Sequence, residues 1–224
     1  MDIHKPKAAH SLREFAVEIG TIICGILIAL GLEQVVDWSH SRREVGEARE
    51  AMDAELASDA ARLASTASQD ECAEVRLKLL EDWAAGKAHI DSENLASIDN
   101  RPLNGSLRAS AWDIAKTGAV ASHMSVKDRL AYAIVYDQIA NQMTIIQGER
   151  GAWIQLGRYA GKGALDAEEA RELREDIGLI RANSAGRRLN TPKIEAGIAQ
   201  LAVKPGVDNF PPGRGPRDLC APPR

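Results

Sequence analysis

The sequence predicts an all-α protein: one N-terminal transmembrane helix that continues into a long helix of a soluble helical bundle. Three observations carry this. Aromatics are only 4% of the 224 residues while alanine is abundant, which favours helix over sheet. Apolar residues recur at steps of three and four from residue 45 onward, and no alternating strand pattern of useful length appears. The fourteen residues Ile19–Leu32 (IGTIICGILIALGL) carry no charge.

The apolar run is short by itself, since a hydrocarbon core of ~30 Å wants ~20 residues. Its flanks extend it. Between Phe15 and Val36 stand twelve strongly apolar side chains and two glutamates, Glu18 and Glu33, both away from the centre. At roughly 0.3–0.6 kcal/mol each, the apolar residues outweigh glutamates placed where the penalty is below its full ~2.5–3.5 kcal/mol. Phe15 and Trp38 lie 23 positions apart, about 34 Å on a helix, and are the expected interface anchors. The predicted organisation is a short cytoplasmic tail (1–14), a transmembrane helix (15–38), a helical domain (39–204) and a Pro-rich extended tail (205–224). No A-x-A site follows the run and Ile23 precedes Cys24, so neither signal-peptide cleavage nor a lipoprotein box is expected.

Positive groups on the two flanks (the α-amine, Lys5, Lys7 and Arg13 against Arg42, Arg43 and Arg49) differ by one, and orient the span only weakly. Cysteines contribute more. Apart from Cys24, only Cys72 and Cys220 occur. In a reducing cytosol they are plain thiols; in an oxidising periplasm they could close a long loop, stabilising by roughly 4–5 kcal/mol on the chain-entropy model. The expected placement is the bacterial inner membrane, single-pass, N-terminus cytoplasmic and C-terminal domain periplasmic, with a Cys72–Cys220 disulfide.

Element by element, Val45, Ala48, Met52, Leu56, Ala60 and Leu63 form one stripe, and no proline separates it from the span; a single helix over 11–66 is predicted. A second helix, 69–85, carries Cys72, Val75, Leu79 and Trp83, widened by Leu80, and stops before Gly86. Residues 86–106 read as a loop with one helical turn. A third helix, 107–117, presents Leu107, Ala111, Trp112 and Ala115. Ser125 with Asp128 reads as an N-cap for a helix reaching Tyr159, its buried stripe approximated by Leu130, Ile134, Ile139, Met143, Ile146, Trp153 and Leu156, with a bend at Gly148 and Gly151. Asp166-x-x-Glu169 is a capping signature for a fifth helix carrying Leu173, Ile177 and Ile180. Thr191-Pro192 reads as an N-cap followed by Pro at N1, a fresh start for a shorter helix with Ile194, Ile198 and Leu201. Six of the nine prolines fall in the last twenty residues, which makes that stretch a tail.

The opening LREFAVEIGTIICGILIALGLEQVVDW resembles a group of bacterial single-pass membrane proteins that begin R-E-F/I-x3-E and continue into an Ile-rich span with G-[IV]-L-I-A-L. The matching positions are Arg13, Glu14, Phe15, Glu18 and Gly25 to Leu30, with looser likeness at the Cys72 helix, Ser110-Ala-Trp112, Thr117-Gly118 and Leu219-Cys220. That group has no assigned activity, so the resemblance implies membrane anchoring and architecture alone.

On the span, Glu18, Thr21, Gly25, Ala29 and Glu33 share one face, and Thr21-x3-Gly25-x3-Ala29 is a small-x3-small ladder that lets another helix approach. This is the expected packing face, toward another membrane protein or a second copy, with lipid around the rest. The five histidines are dispersed, no nucleophile elbow accompanies Ser122-His123, and neither Gly161-Lys-Gly163 nor Gly213-Arg-Gly215 has phosphate-loop context. No catalytic residue, cofactor or metal is therefore expected. A net charge of −4 without a basic block gives no footprint for nucleic acid. The chain reads as a structural or accessory subunit of a membrane assembly rather than an enzyme, the alternative being a periplasmic ligand-sensing bundle that signals through a partner.

Overall fold

The computed structural model describes residues 12–90, 107–204 and 206. It divides into two units, Met1–Glu47 and Ala48–Arg224. Helix α1, Leu12–Ala67, contributes to both. No strand occurs among the described residues.

In the first unit the helix persists because nothing interrupts its hydrogen-bond ladder: no proline occurs within α1. Its hydroxyls bond back into the ladder, Thr21 Oγ1 donating to the Val17 carbonyl at 2.8 Å and Ser39 Oγ to Val36 at 2.8 Å. Beyond the apolar run the surface changes character. Arg42 lies over the Trp38 ring at 4.2 Å, and His40–Glu44 and Arg43–Glu47 pair one turn apart.

The second unit is a bundle of three helical columns. One is the remainder of α1 followed by α2 (Asp70–Ala84). The second is α5 (Val126–Gln155), prolonged by a 3-10 turn at Leu156–Tyr159. The third is α6 (Ala167–Gln200). Two short helices, α3 (Ser110–Thr117) and α4 (Val120–His123), precede α5. Directions follow from the cross-links. Arg49 pairs with Asp128, and Tyr132 and Tyr136 reach Asp53 and Glu55, so α1 and α5 run parallel. Asn190 bonds to the Gln138 carbonyl and Arg187 to Glu149, so α6 runs back against α5. Arg174 reaches the Ala84 carbonyl and Arg187 reaches Asp70, so α2 also runs against α6.

The principal core lies where α2, the end of α5 and the start of α6 meet, around Leu77, Leu80, Trp83, Trp153, Leu173 and Ile177. Trp83 and Tyr159 pack edge to face at 6.4 Å. The α1 stripe is buried as its periodicity requires, at Met52, Leu56, Ala60 and Leu63. Of the N-caps predicted from sequence, Ser125 and Asp166 form, whereas Thr191 lies inside a continuous helix and donates to the Arg187 carbonyl at 2.9 Å. Ser125 Oγ accepts from the Asp128 N–H, and Asp166 with Glu169 makes a reciprocal capping box.

Four sequence readings are corrected. On α2 the buried face is Ala73, Arg76, Leu77, Leu80 and Trp83, whereas Val75 and Leu79 are exposed; the tighter face wins because small Ala73 and Ala84 let the helix approach α6. Leu130 and Ile134 are exposed, since the first half of α5 turns Tyr132, Val135 and Tyr136 toward α1 and α6 instead. Helix α5 runs continuously through Gly148 and Gly151. Gly148 serves close approach: a Cβ there would stand 2.9 Å from Asn183 Oδ1. Finally, α6 does not restart at Pro192, which sits inside the helix. A proline there costs ~3 kcal/mol of helix stability. The helix continues because its buried positions hold one phase across it, Ile180, Ser184, Arg187, Asn190, Ile194 and Ile198. The third helix begins at Ser110 rather than 107, although Leu107 is buried as expected. The loop turn within 91–106 and nearly all of the 205–224 tail lie outside the described residues.

Candidate functional site

The predicted packing face of the span is open along its length. Glu18, Thr21, Gly25, Ala29 and Glu33 are all exposed, and a Cβ added at Gly25 would meet nothing within 4 Å. The anchors Phe15 and Trp38 are 54% and 57% exposed, and the large apolar residues between them are exposed likewise. An unburied helix of this composition is unlike the core helix of a soluble bundle. It is long and apolar enough to cross a membrane, and it lies near the N-terminus.

In the helical unit, sequence reading missed a carboxylate clasp. Helix α3 has Ala109 at its N-cap and no local side-chain cap. Glu55, from α1, supplies one: its carboxylate accepts the Ser110 and Ala111 N–H groups at 3.1 Å each and the Ser110 hydroxyl at 2.6 Å. One turn on, Asp59 accepts the Arg108 N–H at 3.0 and 3.2 Å and pairs with Arg62 at 3.2 Å. Tyr136 donates to Glu55 at 3.1 Å and stacks on Trp112 at 5.7 Å, the rings nearly parallel. Burial pushes the Asp59 carboxyl up to about 7, against the pull of the Arg108 N–H and of Arg62, with Glu55 adding to the rise. Burial and neighbouring carboxylates likewise raise the Tyr132 and Tyr136 phenols.

A second polar cluster ties the three columns together. Glu149, fully buried, accepts from Arg187 Nε at 2.9 Å and from Ser184 Oγ at 2.5 Å, and Arg187 also pairs with Asp70. Burial opposes the Arg187 charge, but the bonds from Glu149 and Asp70 prevail and raise its pKa. Gln142 donates to Thr191 Oγ1 at 3.0 Å and accepts from Asn190 at 3.0 Å. These contacts fix helix register. Among the described residues no group of three or more His, Cys, Asp or Glu is placed to hold a metal ion.

No family model, curated protein or solved structure matches this chain. Cys24 is a free, exposed thiol, while Cys72 on α2 is disulfide-bonded. Cys220, its expected partner, lies outside the described residues. Both clusters had a sequence signal that periodicity could have caught: in the clasp Asp59 falls in phase with Met52, Leu56 and Leu63, and in the second cluster Gln142 and Glu149 fall in phase with Ile139, Ile146 and Trp153. A polar residue on an apolar stripe is a buried partner in waiting.

Proposed function

We propose that this chain is a single-pass accessory subunit of a bacterial inner-membrane assembly, anchored through residues 15–38, with the N-terminus cytoplasmic and the helical unit periplasmic. The observation that carries the reading is the unburied apolar segment of α1 with an open ladder of small residues, Thr21, Gly25 and Ala29, along one face. Lipid covers an apolar helix, and a close-packing ladder is useful only when another helix sits on it. Glu18 and Glu33 on that same face favour a protein neighbour over lipid. The bonded state of Cys72 supports an oxidising compartment, and Cys220 is the cysteine we assign to it. The polar clusters of the helical unit bond helix to helix and loop to helix, which suits a scaffold.

The test is extraction of native membranes in mild detergent, with sizing and mass spectrometry of what co-elutes. A stoichiometric companion that is lost on Gly25→Ile with Ala29→Ile supports the reading. A chain that elutes alone, or an assembly indifferent to both substitutions, overturns the part assigned to the span.

A further inference from the structure

Residues 107–124 are docked on the bundle rather than woven into it. Helices α3 and α4 have eight and four residues, too short to hold themselves in water. Four side chains of the segment are buried, Leu107, Trp112, Ala115 and Met124, and α4 buries none. The docking bonds are few and specific. Trp112 lies on the Tyr136 ring of α5, and Arg129 Nη1 donates to the Ala121 carbonyl at 3.1 Å. The remaining ties end on two carboxylates of α1. Glu55 takes the Ser110 and Ala111 N–H groups, and Asp59 takes the Arg108 N–H.

These two carboxylates differ in their access to water. Glu55 is half-buried, whereas Asp59 is 0% exposed beneath the segment it holds. The groups that face Asp59 come from every element around it. Helix α1 brings Glu55 and Arg62, the residues leading into α3 bring the Arg108 N–H and guanidinium, and α5 brings the Tyr136 phenol. Glu55 repels a second negative charge, the Arg108 side chain lies in solvent, and Arg62 pairs at 3.2 Å. Burial outweighs both cations and the backbone bond, so the covered carboxyl holds its proton up to about 7, against 3.8 in water.

We propose that residues 107–124 form a lid on α1 and α5 that a proton on Asp59 keeps shut: the neutral acid stays buried beneath Arg108, and losing the proton draws water to the carboxylate and lifts α3 and α4 together while the three helical columns stay folded. Lifting uncovers the Tyr136 ring beside Glu55 and Asp59. The segment gives up far less apolar contact than the columns would, so it opens below the free energy of global unfolding. The sign follows from linkage. Between the open and closed values, 3.8 and about 7, the closed form holds the extra proton, so rising pH favours opening by about tenfold per unit. Above about 7 both forms are ionised and the gain levels off.

The test is amide hydrogen exchange with mass spectrometry on the full chain in detergent, across about pH 5 to 8.5, with rates corrected for the intrinsic pH dependence of exchange. Expected in peptides covering 108–117 is an opening constant that rises about tenfold per unit to about pH 6.5 and then flattens. Peptides from 173–198 on α6 should stay at least about a hundredfold better protected at every pH, which marks the opening as local. Asp59→Asn removes the pH dependence, because an amide has no proton to lose. Arg62→Gln keeps the slope and moves the flattening to higher pH, which tests the same carboxyl should Asp59→Asn fail to fold. Glu55→Gln loosens 108–117 at every pH and keeps the slope. A flat profile, or a slope that survives Asp59→Asn, overturns the gate. A slope lost in Glu55→Gln but kept in Arg62→Gln without displacement moves the titration to Glu55 and overturns the assignment to Asp59. Equal protection in 108–117 and α6 overturns the lid, since the segment then leaves only with the whole bundle.

Discussion

Asp59 and Arg187 show how single buried charges are handled here in opposite ways. Asp59 is held by a backbone N–H and one guanidinium, too little to offset burial, so its carboxyl rises from 3.8 to about 7. Between those values the folded chain binds more protons than the unfolded chain, and stability falls as pH rises across that window. The displacement corresponds to roughly 4 kcal/mol as an upper bound. Asp59→Asn should therefore flatten the decline between pH 4 and 7 and raise Tm at pH 8, read by thermal melts of the two proteins across pH. A variant whose melting keeps the full pH slope would locate the titration elsewhere. Arg187 is the reverse case, with two carboxylates around one guanidinium. Arg187→Met should cost about 3–5 kcal/mol in urea unfolding because it strands Glu149. Adding Glu149→Leu should recover much of that loss, because no buried charge then lacks a partner.

At the scale of elements, the close helix crossings depend on missing side chains. Gly197 lies where a Cβ would come within 2.6 Å of Val135 Cγ2, and a valine cannot swing that methyl away at low cost. Gly197→Ala gains ~1 kcal/mol of helix propensity and loses ~1–3 kcal/mol to overpacking, so net destabilisation is expected in urea unfolding. Pairing it with Val135→Ala should restore stability at least to that of Val135→Ala alone. Helix α3 makes the complementary point. Its start is set by Glu55, fifty-five residues upstream of Ser110, so no inspection of residues 107–117 could have placed it at Ser110. Where a cap is local, as at Ser125 and Asp166, the start was legible in sequence.

For the whole molecule, the division of labour lies along α1: an apolar stretch whose large side chains are exposed among the described residues, followed by a stripe that is buried. If residues 15–38 anchor the chain, the protein should stay in the membrane pellet through alkaline carbonate extraction, and deletion of 15–38 should release the helical unit as a folded, soluble species. Release of the full chain by carbonate would make the segment a peripheral or partner-bound helix.

The sequence by itself determined the class, the long first helix, the local caps at Ser125 and Asp166 and the inward residues of α1 and α6, because each is a short-range matter of propensity, period and capping. It misplaced the faces of α2 and early α5, where Val75, Leu79, Leu130 and Ile134 match the period as well as the residues that are buried. It also read Pro192 as a start. Only the tertiary structure decided these, along with the clasp and the Glu149–Arg187 cluster. Which of two apolar faces is buried depends on which neighbour can come close, and whether a helix survives a proline depends on packing on both sides of it. A buried carboxylate depends on partners that the chain brings from far away.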